Sequence, residues 1–456
     1  MSMPRFVVSG LSGGVGKTTV SLGLTRAFTR RGLTVHPFKK GPDYIDTAWL
    51  ALAAKGNAST LDPFFCPGES MARHFFSRSV GADIAVIEGN RGLFDGKDIE
   101  GSASTAEVAK AVDAPILLVV DITKMTRTTA ALVAGCKNFP GGERIAGVIL
   151  NRAGTTRHAS IARRAVEELA QVPVFGVLPR LDSPFITEHR AGLITVAMHE
   201  AADEILERTA DFICDNVNVE GVLKLARDAC LHCTPFERVC LETPPAKARI
   251  GVVKDGALWE YYDENLEALR LAGAELVFVS LLADDSWPDL DGLYLGGGDL
   301  APHAAILAGH TARKEEIRFL VEAGMPVYAE HAGYFYLCES YSCGEVNHAM
   351  AGVFPVSAVS VTKPVRLGYM EASVSGFNPF LPVGLALKGH EYHYTALDVS
   401  SAAMVVLDKK VGSAVVDVPD GLVYKSAFGT SMQIFAPAVP QWAAGFVRAA
   451  LAWRKG

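Results

Sequence analysis

Short apolar runs, each ending on glycine or a polar residue, recur along the first half of the chain. Residues 5–10 (RFVVSG), 83–89 (DIAVIEG), 115–121 (PILLVVD) and 145–151 (IAGVILN) are rich in β-branched and other apolar side chains. Strands buried on both faces carry this pattern. Between them the spacing becomes helical: Val20, Leu24 and Phe28 recur within residues 17–31, and an amphipathic segment covers 158–170. Strands alternating with helices predict a parallel sheet clothed on both faces. Ligands of such sheets lie at the carboxyl ends of the strands, so the residues just after each run are where chemistry is expected. After residues 200–230 the texture changes. Residues 234–248 (TPFERVCLETPPAKA) are proline-rich and aperiodic, which marks a linker. Alternation resumes at 249–255 (RIGVVKD) and continues through 274–280, 291–298 and 325–331. The expected organisation is a parallel-sheet α/β domain over 1–233, a linker over 234–248 and a second α/β domain over 249–456.

The first run opens directly into Gly10-Leu11-Ser12-Gly13-Gly14-Val15-Gly16-Lys17-Thr18-Thr19. Phosphates need several backbone N–H donors converging on one point, and glycines let the backbone come that close. Gly13, Gly14, Val15, Gly16, Lys17, Thr18 and Thr19 are therefore the candidate nucleotide-binding residues of a P-loop domain. Lys17 would reach the β- and γ-phosphates of ATP, and the Thr18 hydroxyl would ligate Mg²⁺. The first glycine stands one position further from Lys17 than the strict P-loop pattern requires. Partitioning ATPases place a signature lysine where this chain has Ser12, which argues against that class.

Two glycine-punctuated acidic loops follow. One reads FKKGPDYID (38–46) and the other IEGNRGLFDG (87–96). Glu88 follows an apolar run directly, where a carboxylate holds Mg²⁺ in P-loop enzymes. Asp43, Asp46 and Asp95 are candidates for a metal, for orienting an acceptor or for binding product, with Asp46 joining Thr18 and Glu88 in the expected metal set. The plain alternative for any one aspartate is a turn or a helix N-cap.

Charge narrows the class further. A net charge of −7 without a long basic run argues against a nucleic-acid partner. No stretch is apolar enough to span a bilayer, and the N-terminus leads into a strand rather than a signal segment, so no membrane partner and a cytoplasmic location are expected. Cys230 and Cys233 form a CxxC with Cys240 nearby, but no fourth ligand or second paired motif is evident, so these read as reduced thiols rather than a zinc site.

FKKGPDYID, LDPF (61–64), EGNRGLFDG and GSASTAEVA (101–109) closely resemble the N-terminal motifs of the cobyrinate a,c-diamide synthase family, in the same order. GVILNRAGTTRH (147–158), YLGGG (294–298) and GHEYHY (389–394) extend the resemblance over nearly the whole chain. The resemblance implies an ATP-dependent synthetase domain followed by a flavodoxin-like α/β domain of the Cys-His glutamine amidotransferase type. It also implies functional loop residues at Asp43, Tyr44, Asp46, Glu88 and Asp95, beside the catalytic Lys17 of the P-loop, and adenine recognition at Asn151. The activity it implies is amidation of acetate carboxylates, a and/or c, on cobyrinate or hydrogenobyrinate through an acyl phosphate, with ATP and Mg²⁺. Siroheme, sirohydrochlorin or nickel-sirohydrochlorin are alternative acceptors. A non-catalytic ATP-dependent tetrapyrrole carrier is the alternative from another class.

The second domain departs from the family pattern. Where the family's nucleophile motif reads AECGG, the chain has Ala329-Glu330-His331-Ala332-Gly333, so His331 stands at the thiol position. The segment matching the family's histidine motif, GTSMQIFAP (429–437), contains no histidine. The glycine loop continues as Asp299-Leu300-Ala301 rather than through an aromatic residue and Pro-Glu. A thiolate glutaminase lacks both its parts here. Cys338, expected in the helix after His331, is a poor substitute. His390 and His393 read as structural residues or substrate contacts. The expected partners are thus a tetrapyrrole, ammonia or an ammonia-supplying protein, and a second copy of the chain in a homodimer.

Overall fold

The computed structural model describes residues 3–186, 188–189, 192–193, 201–230, 244–398, 404–411 and 414–454. It divides into two compact units, Met1–Cys240 and Leu241–Gly456. Cys233 and Cys240, and most of the proline-rich segment, lie outside the described residues.

The first unit is built on β1 (Arg5–Gly10), β2 (Val35–Lys40), β3 (Ser59–Leu61), β4 (Ile84–Glu88), β5 (Ile116–Asp121), β6 (Ile145–Ala153) and β7 (Val174–Pro179). They form one sheet in the order β3-β2-β4-β1-β5-β6-β7, and the registered pairs are parallel. Every residue of β1 and β4 is buried, which is why their sequences carry no polar alternation. The helices are α1 (Lys17–Arg30), α2 (Tyr44–Ala54), α3 (Glu69–Arg78), α4 (Thr105–Ala111), α5 (Arg127–Asn138), α6 (Thr156–Ala165), α7 (Ala202–Asn216) and α8 (Val219–Cys230). The amphipathic segment 158–170 ends in a π-helical stretch at Val166–Ala170. α1 is tied to α7 by Arg26, whose fully buried guanidinium meets Asp203 at 2.6 Å and Glu207 at 3.2 Å.

Strand order places the carboxyl ends of β1, β2 and β4 side by side. Gly16, Lys40 and Glu88 therefore open onto one edge, although they are far apart in sequence. α2 starts there too: Asp43 is its N-cap, and the side-chain Oδ1 accepts the Asp46 N–H at 2.9 Å.

The second unit has a ten-stranded sheet. Ala274–Val279, Ala248–Val253, Gly292–Leu295, Val327–Glu330 and Ala427–Thr430 are its parallel half. Antiparallel strands extend it through Ala414–Tyr424, Met404–Val411, Arg366–Val374 and Ala386–His393. Alternation predicted only the first four parallel strands. An aromatic core packs beside them: Tyr328 and Tyr294 stand 5.2 and 5.4 Å from the Trp442 ring, and Phe380 stands 5.0 Å from Phe446. Among the described residues no helix is long and apolar enough to cross a membrane.

Candidate active site

The P-loop begins where β1 ends. Gly14 and Gly16 have φ of +71° and +99°, a region costly for residues with a Cβ. A Cβ on Gly16 would lie 2.2 Å from Asn151 Nδ2. That amide in turn donates to the Val15 carbonyl at 2.8 Å. Asn151, near the end of β6, thus braces the loop from behind. The neighbouring Arg152 guanidinium donates to the Gly14 carbonyl at 2.8 Å.

Lys17 opens α1 and is buried, its Nζ donating to the Ser12 carbonyl at 2.8 Å. Burial lowers its pKa to about 8. The nearby Lys39 charge adds to this, while Glu88, Asp46 and Asp95 pull the other way. Thr18 donates its hydroxyl hydrogen to Glu88 Oε1 at 2.7 Å. Glu88 is fully buried, and its pKa is raised by burial against the pull of Lys39.

Lys39 joins them, although no sequence motif assigns it a role. Its Nζ lies 2.8 Å from Glu88 Oε1 and also pairs with Asp46; the lysine side chain is only 3% exposed. Burial alone would lower its pKa, but Asp46, Glu88 and Asp43 more than offset that and hold it well above the usual lysine value. Its place was legible in FKKGPDYID: Lys39 is next to last in a buried parallel strand, whose carboxyl end is where ligands bind.

Lys17, Thr18, Asp46, Glu88 and Lys39 therefore form one cluster. Asp43 caps α2, and its carboxyl, shielded from water and crowded by Asp46, is pushed up to about 7. Tyr44 is the first residue of that helix. Asp95 is exposed and accepts the Gly92 N–H at 2.9 Å; its charge still acts on Lys17. Gly13 and Gly14 are exposed at the loop tip, and Thr19 lies behind them in α1.

Among the described residues no three His, Cys, Asp or Glu side chains gather as a self-sufficient metal site. Magnesium needs less protein, because one or two carboxylates and a hydroxyl complete a shell that water and phosphates supply. Glu88 fits this: its buried Oε2 accepts no hydrogen bond, while Oε1 already meets Thr18.

In the second unit, the strand Val327–Glu330 turns at His331 into the helix Ala332–Leu337. His331 has φ 51° and ψ −120°, a conformation costly for any residue but glycine. The sharp elbow is thus kept with an imidazole on it. His331 Nδ1 lies 3.2 Å from Glu260 Oε2 and 3.3 Å from the Gly298 nitrogen, and Nε2 faces the Tyr392 carbonyl at 3.2 Å. Gln433, in the segment lacking the histidine, donates to the same Glu260 oxygen at 3.1 Å. Burial would lower the His331 pKa, but Glu260 and the Tyr392 carbonyl hold it above the ordinary value. The partner of this imidazole is Glu260, which no motif in the sequence marks. Beneath it Glu330 is fully enclosed and accepts the Tyr294 hydroxyl hydrogen at 2.5 Å; burial pushes its pKa up to about 7.

The expected place of Cys338 needs correction. The helix ends at Leu337, and Cys338 opens the next strand, fully buried, its Sγ donating to the Tyr334 carbonyl at 3.5 Å. Burial drives its pKa far up, so no thiolate forms. His390 is buried beside the Tyr262 hydroxyl at 3.2 Å, and His393 Nδ1 lies 2.8 Å from the Thr395 carbonyl.

Residues 6–188 match the model of the CobQ/CobB/MinD/ParA nucleotide binding domain, and residues 249–436 that of the CobB/CobQ-like glutamine amidotransferase domain. The chain is 37% identical to the cobyrinate a,c-diamide synthase of Magnetococcus marinus over 453 residues, covering 97% of this chain and 96% of that protein. The chain belongs to the cobyrinate a,c-diamide synthase family. The Syntrophotalea carbinolica member is 39% identical over 88% of each chain, and that of Archaeoglobus fulgidus is 35% identical over 99% of this chain and 98% of its own. Among solved structures, PurLQS from Thermotoga maritima covers 46% of this chain and 99% of its own at 17% identity and a TM-score of 0.36. The family is one of ATP-dependent, amide-forming ligases, and its two domain types are the two α/β units described above.

Proposed function

We propose that this enzyme converts acetate carboxylates of a tetrapyrrole, with cobyrinate or hydrogenobyrinate as the first candidates, into primary amides, in the cytoplasm and at the expense of ATP. The observation that carries the reading is the Lys17–Thr18–Glu88–Asp46 cluster in a chain aligned end to end with a,c-diamide synthases.

A carboxylate resists attack by ammonia because its leaving group would be oxide. Its oxygen therefore first attacks the γ-phosphorus of ATP, breaking the bond to ADP and forming an acyl phosphate. Lys17 offsets charge on the transferring phosphoryl oxygens. Thr18 and Glu88, with Asp46, would hold Mg²⁺, which would neutralise charge on the β- and γ-phosphates. Asp43 and Tyr44, at the start of α2, and Asp95 are assigned to the acceptor. Ammonia then attacks the acyl carbon, phosphate leaves and the nitrogen sheds a proton.

The nitrogen comes as free ammonia. Glutamine hydrolysis needs a thiolate with an activating base, and the elbow instead carries an imidazole engaged by Glu260. The test is mass spectrometry of products from cobyrinate, hydrogenobyrinate, siroheme and sirohydrochlorin, with ATP, Mg²⁺ and either ammonium or glutamine. Amide is expected with ammonium, at a rate that rises with pH because only NH₃ has the lone pair. Glutamate released in step with amide would refute the ammonia reading, and amidation of none of these macrocycles would refute the substrate class.

A further inference from the structure

Lys39 is an ammonium buried between two carboxylates. It pairs with Asp46 and lies 2.8 Å from the Glu88 oxygen that also takes the Thr18 hydroxyl hydrogen. Its head group is closed off from water, so it cannot trade a lost partner for hydration. Glu88 and Asp46 are also the carboxylates assigned above to Mg²⁺. A divalent cation on them and an ammonium at hydrogen-bond distance would be like charges in a poorly screened site. A buried cation deprived of its anions must find another or move out.

We propose that Lys39 is a positioning residue exchanged between two sets of anions: it holds Glu88 and Asp46 in the nucleotide-free enzyme, and once Mg·ATP takes them it turns to the carboxylate of the acceptor. Carboxylate binding then follows nucleotide binding, and the acceptor is admitted only to a site already holding its phosphoryl donor. The inference rests on the function proposed above. It adds an order of binding and the residue that imposes it.

Two measurements on the full chain test it. The first needs no macrocycle: Mg²⁺ is titrated at fixed concentration of a non-hydrolysable ATP analogue. Lys39→Gln removes the competing ammonium, so the Mg²⁺ Kd is expected to fall at least fivefold, and Lys39→Arg to stay near wild type. An unchanged Mg²⁺ Kd in Lys39→Gln would overturn the exchange. In the second, cobyrinate binding is followed by absorbance. The wild type is expected to bind it at least tenfold more tightly with Mg²⁺ and the analogue than with neither, and no more tightly with the analogue alone. Lys39→Gln is expected to lose that gain. Equal tightening without Mg²⁺ in the wild type would overturn the proposal even if Lys39→Gln fails to fold. Failure of cobyrinate to bind the wild type in every arm would count against the substrate, while the Mg²⁺ competition would still decide the role of Lys39.

Discussion

At the scale of single residues, the first unit gathers ammonium and carboxylate charges in one small volume, and their balance sets what each can do. Lys17 shows that balance most directly. Burial and the Lys39 charge lower its pKa to about 8, so the free enzyme loses this proton within an ordinary assay range. ATP binds the protonated form better. Affinity is therefore expected to be flat below pH 8 and to weaken above it, by up to about tenfold per pH unit. Calorimetric titration of the ATP analogue from pH 7 to pH 9.5 measures this, and a constant Kd through pH 9 would contradict it. Lys17→Ala should flatten the profile and lower kcat by about 10²- to 10³-fold, the usual loss for one transition-state charge donor. Lys17 was legible in the sequence because a P-loop is a local pattern. For Lys39 only its place at the end of a strand was legible; its partner appears only when Glu88, 49 positions away, closes on it.

Among elements, the turn from β1 into α1 shows how narrowly the phosphate loop is specified. Gly16 combines a left-handed φ of +99° with the close approach of Asn151. Gly16→Ala would incur about 1–2 kcal/mol for the backbone alone. It would also displace the amide that holds the Val15 carbonyl. Loss of nucleotide binding and a lower melting temperature are expected. Gly13→Ala is the control for folding, since a Cβ there meets nothing within 4 Å and its φ is not in the left-handed region. Equal stability of the two variants would refute the bracing role of Asn151. The strand-to-helix elbow at His331 is the second such element. Its φ of 51° is held in place by Thr430, Gly298, Glu260 and Tyr392, which reach it from separate segments.

For the whole molecule, the two units differ in how their sites are assembled. The first draws most of its residues from one sheet edge within residues 10–95, with Asn151 and Arg152 bracing the loop from β6. The second gathers Glu260, Gly298, His331, Tyr392 and Gln433 from five places in the chain. Repairing one of them should not revive glutaminase chemistry. His331→Cys is expected to release no glutamate from glutamine, because Gln433 supplies no base and Glu260 stays to repel a thiolate. A coupled assay for glutamate, run beside amide formation with ammonium, reads this out. Glutamate production by the single variant would mean that another residue already serves as base.

By itself the sequence determined that the chain is α/β, that it has a P-loop, and that Glu88 and the aspartates of the acidic loops follow buried strands, where ligands of such sheets are expected. Each of those conclusions follows from local rules: unbroken apolar runs make buried strands, glycines let the backbone approach phosphate, and a parallel sheet sends strand ends to one edge. The tertiary structure decided which charges meet. It made Asp43 a helix cap, brought Asp46 onto Lys39, buried Cys338 beyond reactivity and joined Gln433 to Glu260 across 173 positions. The reason is physical. Periodicity records which side of an element faces the core, whereas the partner of a buried charge is set by sheet order and chain crossing, and no local pattern encodes either.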